Sequence, residues 1–266
     1  LFDLSKYLIF GSRSYLGSQF KKYLDEKNIV NYAIDANNSD NYSASNIVKI
    51  LNSYEPTKIV DFKFLKVSSN DNDFIHFKEK DFFQPQMNLI QSINETNIRL
   101  NKLLYISTAG SNTNLYTNLK RKQEKIYKKH LKNNKVLSIL KLNTVFGPGD
   151  KSKTRLIPTF FYKILKDKYV ELNINSNKNG DFIYIKNTMD KVYNCTLNID
   201  LEIDIFRIKY KNLVQTLSYI IKSVFNYDHK ILWNDKELNP IKVIENDKFY
   251  KDLIKTADWY MNESKI

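Results

Sequence analysis

KYLIFGSRSYLGSQFKKYLDE, residues 6–26, changes character twice. Lys6-Tyr7-Leu8-Ile9-Phe10 is an apolar run of strand length that stops at a glycine. Gly11-Ser12-Arg13-Ser14-Tyr15-Leu16-Gly17 follows, and Ser18 to Glu26 then spaces its apolar residues along one face of a helix. Strand, glycine turn and helix together aim backbone N–H groups and a helix N-terminus at a pyrophosphate. Glycine is needed where the backbone must turn sharply or come close to the phosphates. Asn31-Tyr32-Ala33-Ile34 reads as a second strand that ends at Asp35. A carboxylate about 20 residues past such a loop fits the ribose diol of a dinucleotide. Ser14 stands where a middle glycine would be expected, so the segment alone is equally consistent with an ordinary strand-to-helix turn and a solvated Asp.

Farther along, Leu103-Leu104-Tyr105-Ile106 is another buried strand, closed by Ser107-Thr108-Ala109-Gly110. A helical segment begins near Tyr116, and Lys120 lies four residues on, so both side chains share one helix face. A free phenol has a pKa of about 10 and holds its proton at neutral pH. A neighbouring ammonium favours the phenolate. In a chain with 18 Tyr the Tyr-x-x-x-Lys spacing says little by itself. Its place just after a strand-end Ser-Thr marks it as a proton-transfer set, with Thr108 able to hold the oxygen that Tyr116 would serve.

Composition narrows the choices. The chain has 266 residues, 42% of them hydrophobic and 14% aromatic, which suits a globular protein with a sizeable core. The net charge is +13, but the lysines are spread along the chain with no dense basic tract, so no nucleic-acid partner is expected. The bias toward Asn, Ile, Lys and Tyr, with only 6 Gly and 5 Pro, matches an AT-rich coding background. The single cysteine, Cys195, excludes an internal disulfide, and the three histidines lack metal-ligand spacing, so no metal site is expected. No apolar run approaches the roughly 20 residues of a membrane span. No signal peptide is visible, and the expected compartment is the cytoplasm.

These segments resemble the extended short-chain dehydrogenase/reductases, in particular the branch that acts on nucleotide sugars. Gly11 and Gly17 fit that family's Gly-x-x-Gly-x-x-Gly, with Ser14 in the middle place. Asp35 fits its acid, Ser107-Thr108-Ala109 its strand end, and Tyr116 with Lys120 its Tyr-x-x-x-Lys. Lys141 to Gly149, KLNTVFGPG, is similar to its Arg-Pro-x-Asn-Val-Tyr-Gly-Pro-Gly segment. Asp181-Phe182-Ile183-Tyr184-Ile185 is similar to its Arg-Asp-Phe-Ile-Tyr-Val segment, and Thr256 to Tyr260 to its closing helix. Gly180 stands where an Arg often occurs, and Lys186-Asn187 replace an Asp pair.

The resemblance implies an α/β fold: a Rossmann-like, doubly wound parallel sheet over residues 1–147, with a smaller mixed α/β substrate-binding region over 148–266. It implies NAD as cofactor, with NADP possible, held by Gly11 to Gly17, Asp35, Ser107, Tyr116 and Lys120. Arg13 is the residue that would favour NADP. A nucleotide-sugar substrate would meet Thr108, Thr144 and Arg155. Tyr116 would exchange the hydroxyl proton, Lys120 would hold the nicotinamide ribose and lower the Tyr116 pKa, and Thr108 would orient the substrate oxygen. Dehydratases of this branch follow the Thr with an Asp-Glu pair, whereas Ala109-Gly110 follow here. The implied activity is reduction of a 4-keto sugar nucleotide. The alternatives are an epimerase with tightly bound NAD, or an altered protein that only binds such ligands. A homodimer pairing through helices over Pro85–Asn97 and Tyr116–Leu131 is expected from the same resemblance.

Overall fold

The computed structural model describes residues 5–34, 42–63, 79–110, 114–152, 154–172, 178–234, 236–244 and 246–263. Asp35 lies outside the described residues. The chain divides into two compact units: the first holds residues up to Leu142 together with Met189–Leu201, and the second holds Asn143–Thr188 and Glu202–Ile266.

In the first unit the chain alternates strand and helix: β1 (Tyr7–Phe10), α1 (Tyr15–Glu26), β2 (Asn31–Ala33), α2 (Ala44–Tyr54), β3 (Lys58–Asp61), α3 (Glu79–Glu95), β4 (Lys102–Thr108), α4 (Leu115–His130) and β5 (Leu137–Leu142). The strands form a five-stranded sheet in the order β2-β1-β3-β4-β5, and every pairing is parallel. This is the expected doubly wound plan. The order reverses between β1 and β3, and in open α/β sheets the crevice at that reversal takes the ligand.

Alternation along each strand supplies both faces of the sheet with apolar side chains. Leu8, Phe10, Ile59, Leu103 and Tyr105 face one way and pack with Ile47, Leu51, Leu89 and Tyr127 from the helices on that side. Tyr7 faces the other way, against Phe20 of α1 and Tyr193. Two lysines are buried on that side, in register on β3 and β4. Lys58 Nζ donates to Tyr7 Oη at 3.1 Å, and Lys102 Nζ to Asn198 Oδ1 at 2.5 Å. Both amines thus keep polar partners where solvent is excluded.

Pro85 does not begin its helix. α3 starts at Glu79 and carries Pro85 inside. A proline lacks the N–H of a helical bond, which makes it look like a helix start in sequence, but packing of the flanking turns overrides that preference.

The second unit contains β6 (Thr144–Phe146), α5 (Leu156–Asp167), β7 (Tyr169–Leu172), β8 (Asn179–Tyr184), the start of α6 (Ile185–Thr196), β9 (Phe206–Lys209), α7 (Tyr210–Phe225), β10 (Lys230–Trp233), β11 (Lys236–Glu237) and α8 (Asp247–Glu263). Two small sheets result, β6-β8-β9 and β11-β10-β7. The segment Asp181–Ile185 falls at the end of β8, which runs from Asn179 to Tyr184, and Ile185 opens α6. At Gly180 a Cβ would lie 2.4 Å from Tyr210 Cε1, so only glycine admits that ring against the strand.

Candidate active site

At the β1 end the chain makes the turn that the sequence predicts. Gly11 has φ +84°, and a Cβ there would come within 2.5 Å of the Lys63 backbone nitrogen. At Gly17 a Cβ would come within 2.3 Å of the Gly11 carbonyl oxygen. The first glycine therefore serves the turn and the second the close approach of helix to strand. Ser14 is the N-cap of α1, and its hydroxyl accepts from Gly17 N at 3.0 Å while donating to the Gly11 carbonyl at 2.8 Å. With φ −65° and ψ 156°, Ser14 needs no glycine backbone. Ser12 donates to the Ile34 carbonyl at 2.9 Å and so ties the loop to the end of β2. Arg13 is exposed, and Tyr15 and Leu16 form the first turn of α1. A bare-backbone turn ending in a helix N-terminus at the sheet's reversal point fits the pyrophosphate of a dinucleotide.

At the β4 end lie Thr108, Tyr116 and Lys120, which the sequence marks as candidates for proton transfer. Asn114 caps α4 by accepting from Thr117 N at 2.9 Å, which sets where Tyr116 and Lys120 fall on the helix. Tyr116 is 44% exposed. One turn on, Lys120 is buried and donates to the Ile106 carbonyl at 2.9 Å. Its ammonium stands 4.9 Å from the centre of the Tyr105 ring. Burial pushes the Lys120 pKa down to about 8, against the opposing pull of the Asp61 and Glu124 charges. Thr108 closes β4 half-buried, its hydroxyl accepting from Gly110 N at 3.3 Å. Arg121 donates to the Gly110 carbonyl at 3.3 Å, which fastens this turn to α4. Ser107 is buried, and its hydroxyl donates to Glu124 Oε1 at 2.5 Å, so that side chain belongs to the core beneath the site.

Several polar residues around Lys120 had no place in the sequence reading. Asp61 is fully buried at the end of β3. Its carboxylate accepts from Tyr127 Oη at 2.5 Å and from Lys63 N at 2.7 Å. Tyr105 donates to Gln123 Oε1 at 2.5 Å and packs on Tyr127 with ring centres 5.1 Å apart. The one signal in the sequence is a carboxylate inside the apolar run Ile59-Val60-Asp61-Phe62.

In the second unit, Thr144 and Arg155 line one cavity of about 210 Å³ together with Phe146, Asp150, Phe182 and Tyr210. Asp150 is buried there, accepting from Arg155 Nη2 at 2.5 Å and from Ser152 N at 3.1 Å. Burial raises its pKa while the guanidinium pulls it back down. Tyr260 Oη donates to the Asp150 carbonyl at 2.5 Å and anchors α8 to this loop. Among the described residues no group of three or more His, Cys, Asp or Glu could hold a metal ion, and no helix is long and apolar enough to cross a membrane.

Comparison with known proteins agrees with this fold. The family model described as the NAD dependent epimerase/dehydratase family matches residues 7–196. No curated protein matches in sequence. Among solved structures, the UDP-glucose 4-epimerase of Thermotoga maritima aligns with a TM-score of 0.70 at 13% identity, over 97% of this chain and 99% of its own. A GDP-L-fucose synthetase from Naegleria fowleri bound to NADP aligns with 0.71 at 12% identity, over 100% and 95%. The UDP-N-acetylglucosamine 4-epimerase of Methanobrevibacter ruminantium aligns with 0.70 at 16% identity, over 98% and 100%.

Proposed function

The chain belongs to the NAD dependent epimerase/dehydratase family, and on that footing we propose that it reduces a 4-keto sugar nucleotide with a nicotinamide dinucleotide. The observation that carries the reading is the buried ammonium of Lys120, one helical turn along α4 from an exposed Tyr116. The dinucleotide would be held by the turn from Gly11 to Gly17, by Lys120 at the nicotinamide ribose and by Asp35 at the adenosine ribose. Asp35 favours NAD, because a 2′-phosphate would meet its negative charge. When bound, the cofactor supplies the hydride.

The chain's own residues handle the proton. Tyr116 Oη delivers it to the carbonyl oxygen being reduced. The Lys120 ammonium lowers the cost of the resulting phenolate. Thr108 donates a hydrogen bond that keeps the substrate oxygen against Tyr116. Ala109 and Gly110 follow Thr108, so the turn offers no carboxylate for an elimination step, which argues against a dehydratase. Thr144 and Arg155 are proposed contacts of the nucleotide half, the guanidinium suiting a diphosphate. By analogy with the family, two copies pair through α3 and α4. Light scattering at micromolar concentration should then give twice the chain mass, and a monomer there would remove the pairing from this reading.

The direct test is a purified-protein assay. NADPH or NADH should be consumed when a 4-keto sugar nucleotide is added, with no nicotinamide absorbance in the protein as isolated. Cofactor retained through purification, together with interconversion of sugar epimers and no net consumption, would replace this reading with an epimerase.

A further inference from the structure

The second half of β3 puts a carboxylate where the core should be apolar. Asp61 shows no exposed surface, and an ionised group there is costly unless something requires its charge. Asp61 stands beside Tyr105 in the β3–β4 register. Its carboxylate takes the Tyr127 hydroxyl and the Lys63 amide, while Lys120 Nζ lies against the Tyr105 ring and the carbonyl of the next residue, Ile106. The Tyr105 and Tyr127 rings pack together with centres 5.1 Å apart, and both charges are buried. In so dry a place, attraction between opposite charges is strong.

We propose that Asp61 is a positioning residue: the buried counter-charge that keeps Lys120 an ammonium and thereby sets the proton affinity of Tyr116, without touching substrate or cofactor. This rests on the roles given to Tyr116 and Lys120 above. Among the described residues, the charges acting on Lys120 are Asp61 at the end of β3 and Glu124 on α4; Tyr105 lies against it, Tyr116 and Tyr127 share its helix, and Lys63 and Lys141 act on Asp61 and Glu124 in turn. Glu124 already carries the Ser107 hydroxyl and the Lys141 ammonium, the latter at 3.6 Å. Asp61 takes its hydrogen bonds from neutral donors, and its charge acts on the Lys120 ammonium and on that of Lys63. The electrostatics agree in sign. Burial lifts the Asp61 pKa to about 6, held back by Tyr127 and by the Lys120 charge, and the pull of Asp61 is the largest effect opposing the fall of Lys120.

The test uses the whole chain with its lysines isotope-labelled at Cε, the Lys120 signal being identified by its loss in Lys120→Met. In the native protein that signal should titrate near pH 8, with a smaller step near pH 6 as Asp61 takes its proton. Asp61→Asn should remove the small step and move the main midpoint down by about one unit, a tenfold loss of ammonium at alkaline pH. The alkaline limb of turnover should move with it, and Glu124→Gln should keep the small step. An unchanged midpoint in folded Asp61→Asn overturns the proposal, as does a shifted midpoint with an unmoved activity limb. Should Asp61→Asn fail to fold, absence of the small step in the native protein overturns it equally. Failure of the reductase reading looks different: Tyr116→Phe keeps its turnover while the Lys120 signal still responds to Asp61→Asn.

Discussion

Tyr116→Phe is expected to lower turnover by roughly 10²–10⁴-fold, the usual contribution of a positioned general acid or base. The substitution removes one oxygen from a side chain that is 44% exposed, so packing loses little. Melting temperature and cofactor affinity should therefore stay close to the native values. Thr108→Ala should cost far less, since one neutral hydrogen bond is worth about 1 kcal/mol and water can replace it. Lys120→Met should fall between the two in turnover but weaken cofactor binding as well, because it removes both the proposed ribose contact and the charge one turn from Tyr116. Steady-state kinetics on one substrate, with cofactor titration alongside, separates the three. Tyr116→Phe with near-native turnover would place the proton relay elsewhere.

Gly17→Ala is expected to damage both the fold and the cofactor site. Its Cβ would sit 2.3 Å from the Gly11 carbonyl and 2.9 Å from Ser14 Oγ. The carbonyl is backbone and cannot swing aside, so α1 must slide away from β1. Overpacking of this kind costs about 1–3 kcal/mol. The displaced helix would also break the Ser14 cap on Gly17 N, a bond worth about 1 kcal/mol. A fall of several degrees in melting temperature should accompany loss of measurable dinucleotide binding. Gly11→Ala should behave similarly, since its φ of +84° disfavours any side chain and its Cβ would strike the Lys63 backbone. Calorimetric titration with dinucleotide and a thermal melt test both variants. Native stability together with native affinity in Gly17→Ala would mean that the close approach at the turn has no role.

Ser14 shows how a local sign can mislead. In the sequence it is a departure from the expected glycine spacing. In the structure it caps α1 and closes the turn with two hydrogen bonds, because its extended backbone needs no glycine. Pro85 misleads in the opposite sense, marking a helix start that lies six residues earlier. Strands β9 and β10 leave no readable apolar run, since Arg207 and Lys209 interrupt the first and Lys230 shortens the second, whereas the equally short β1 is apolar throughout.

What the sequence determined by itself is what depends on neighbours along the chain. Apolar runs of strand length, amphipathic helices between them and two glycines six residues apart specify a parallel βα sheet with a tight turn after its first strand. The four-residue step from Tyr116 to Lys120 specifies a shared helix face. Only the tertiary structure decided the electrical state of that face. Residues 61, 105, 120 and 127 come from three different elements and meet beneath α4. Burial there removes the water that would otherwise screen Asp61 from Lys120, and no spacing rule encodes that loss of solvent.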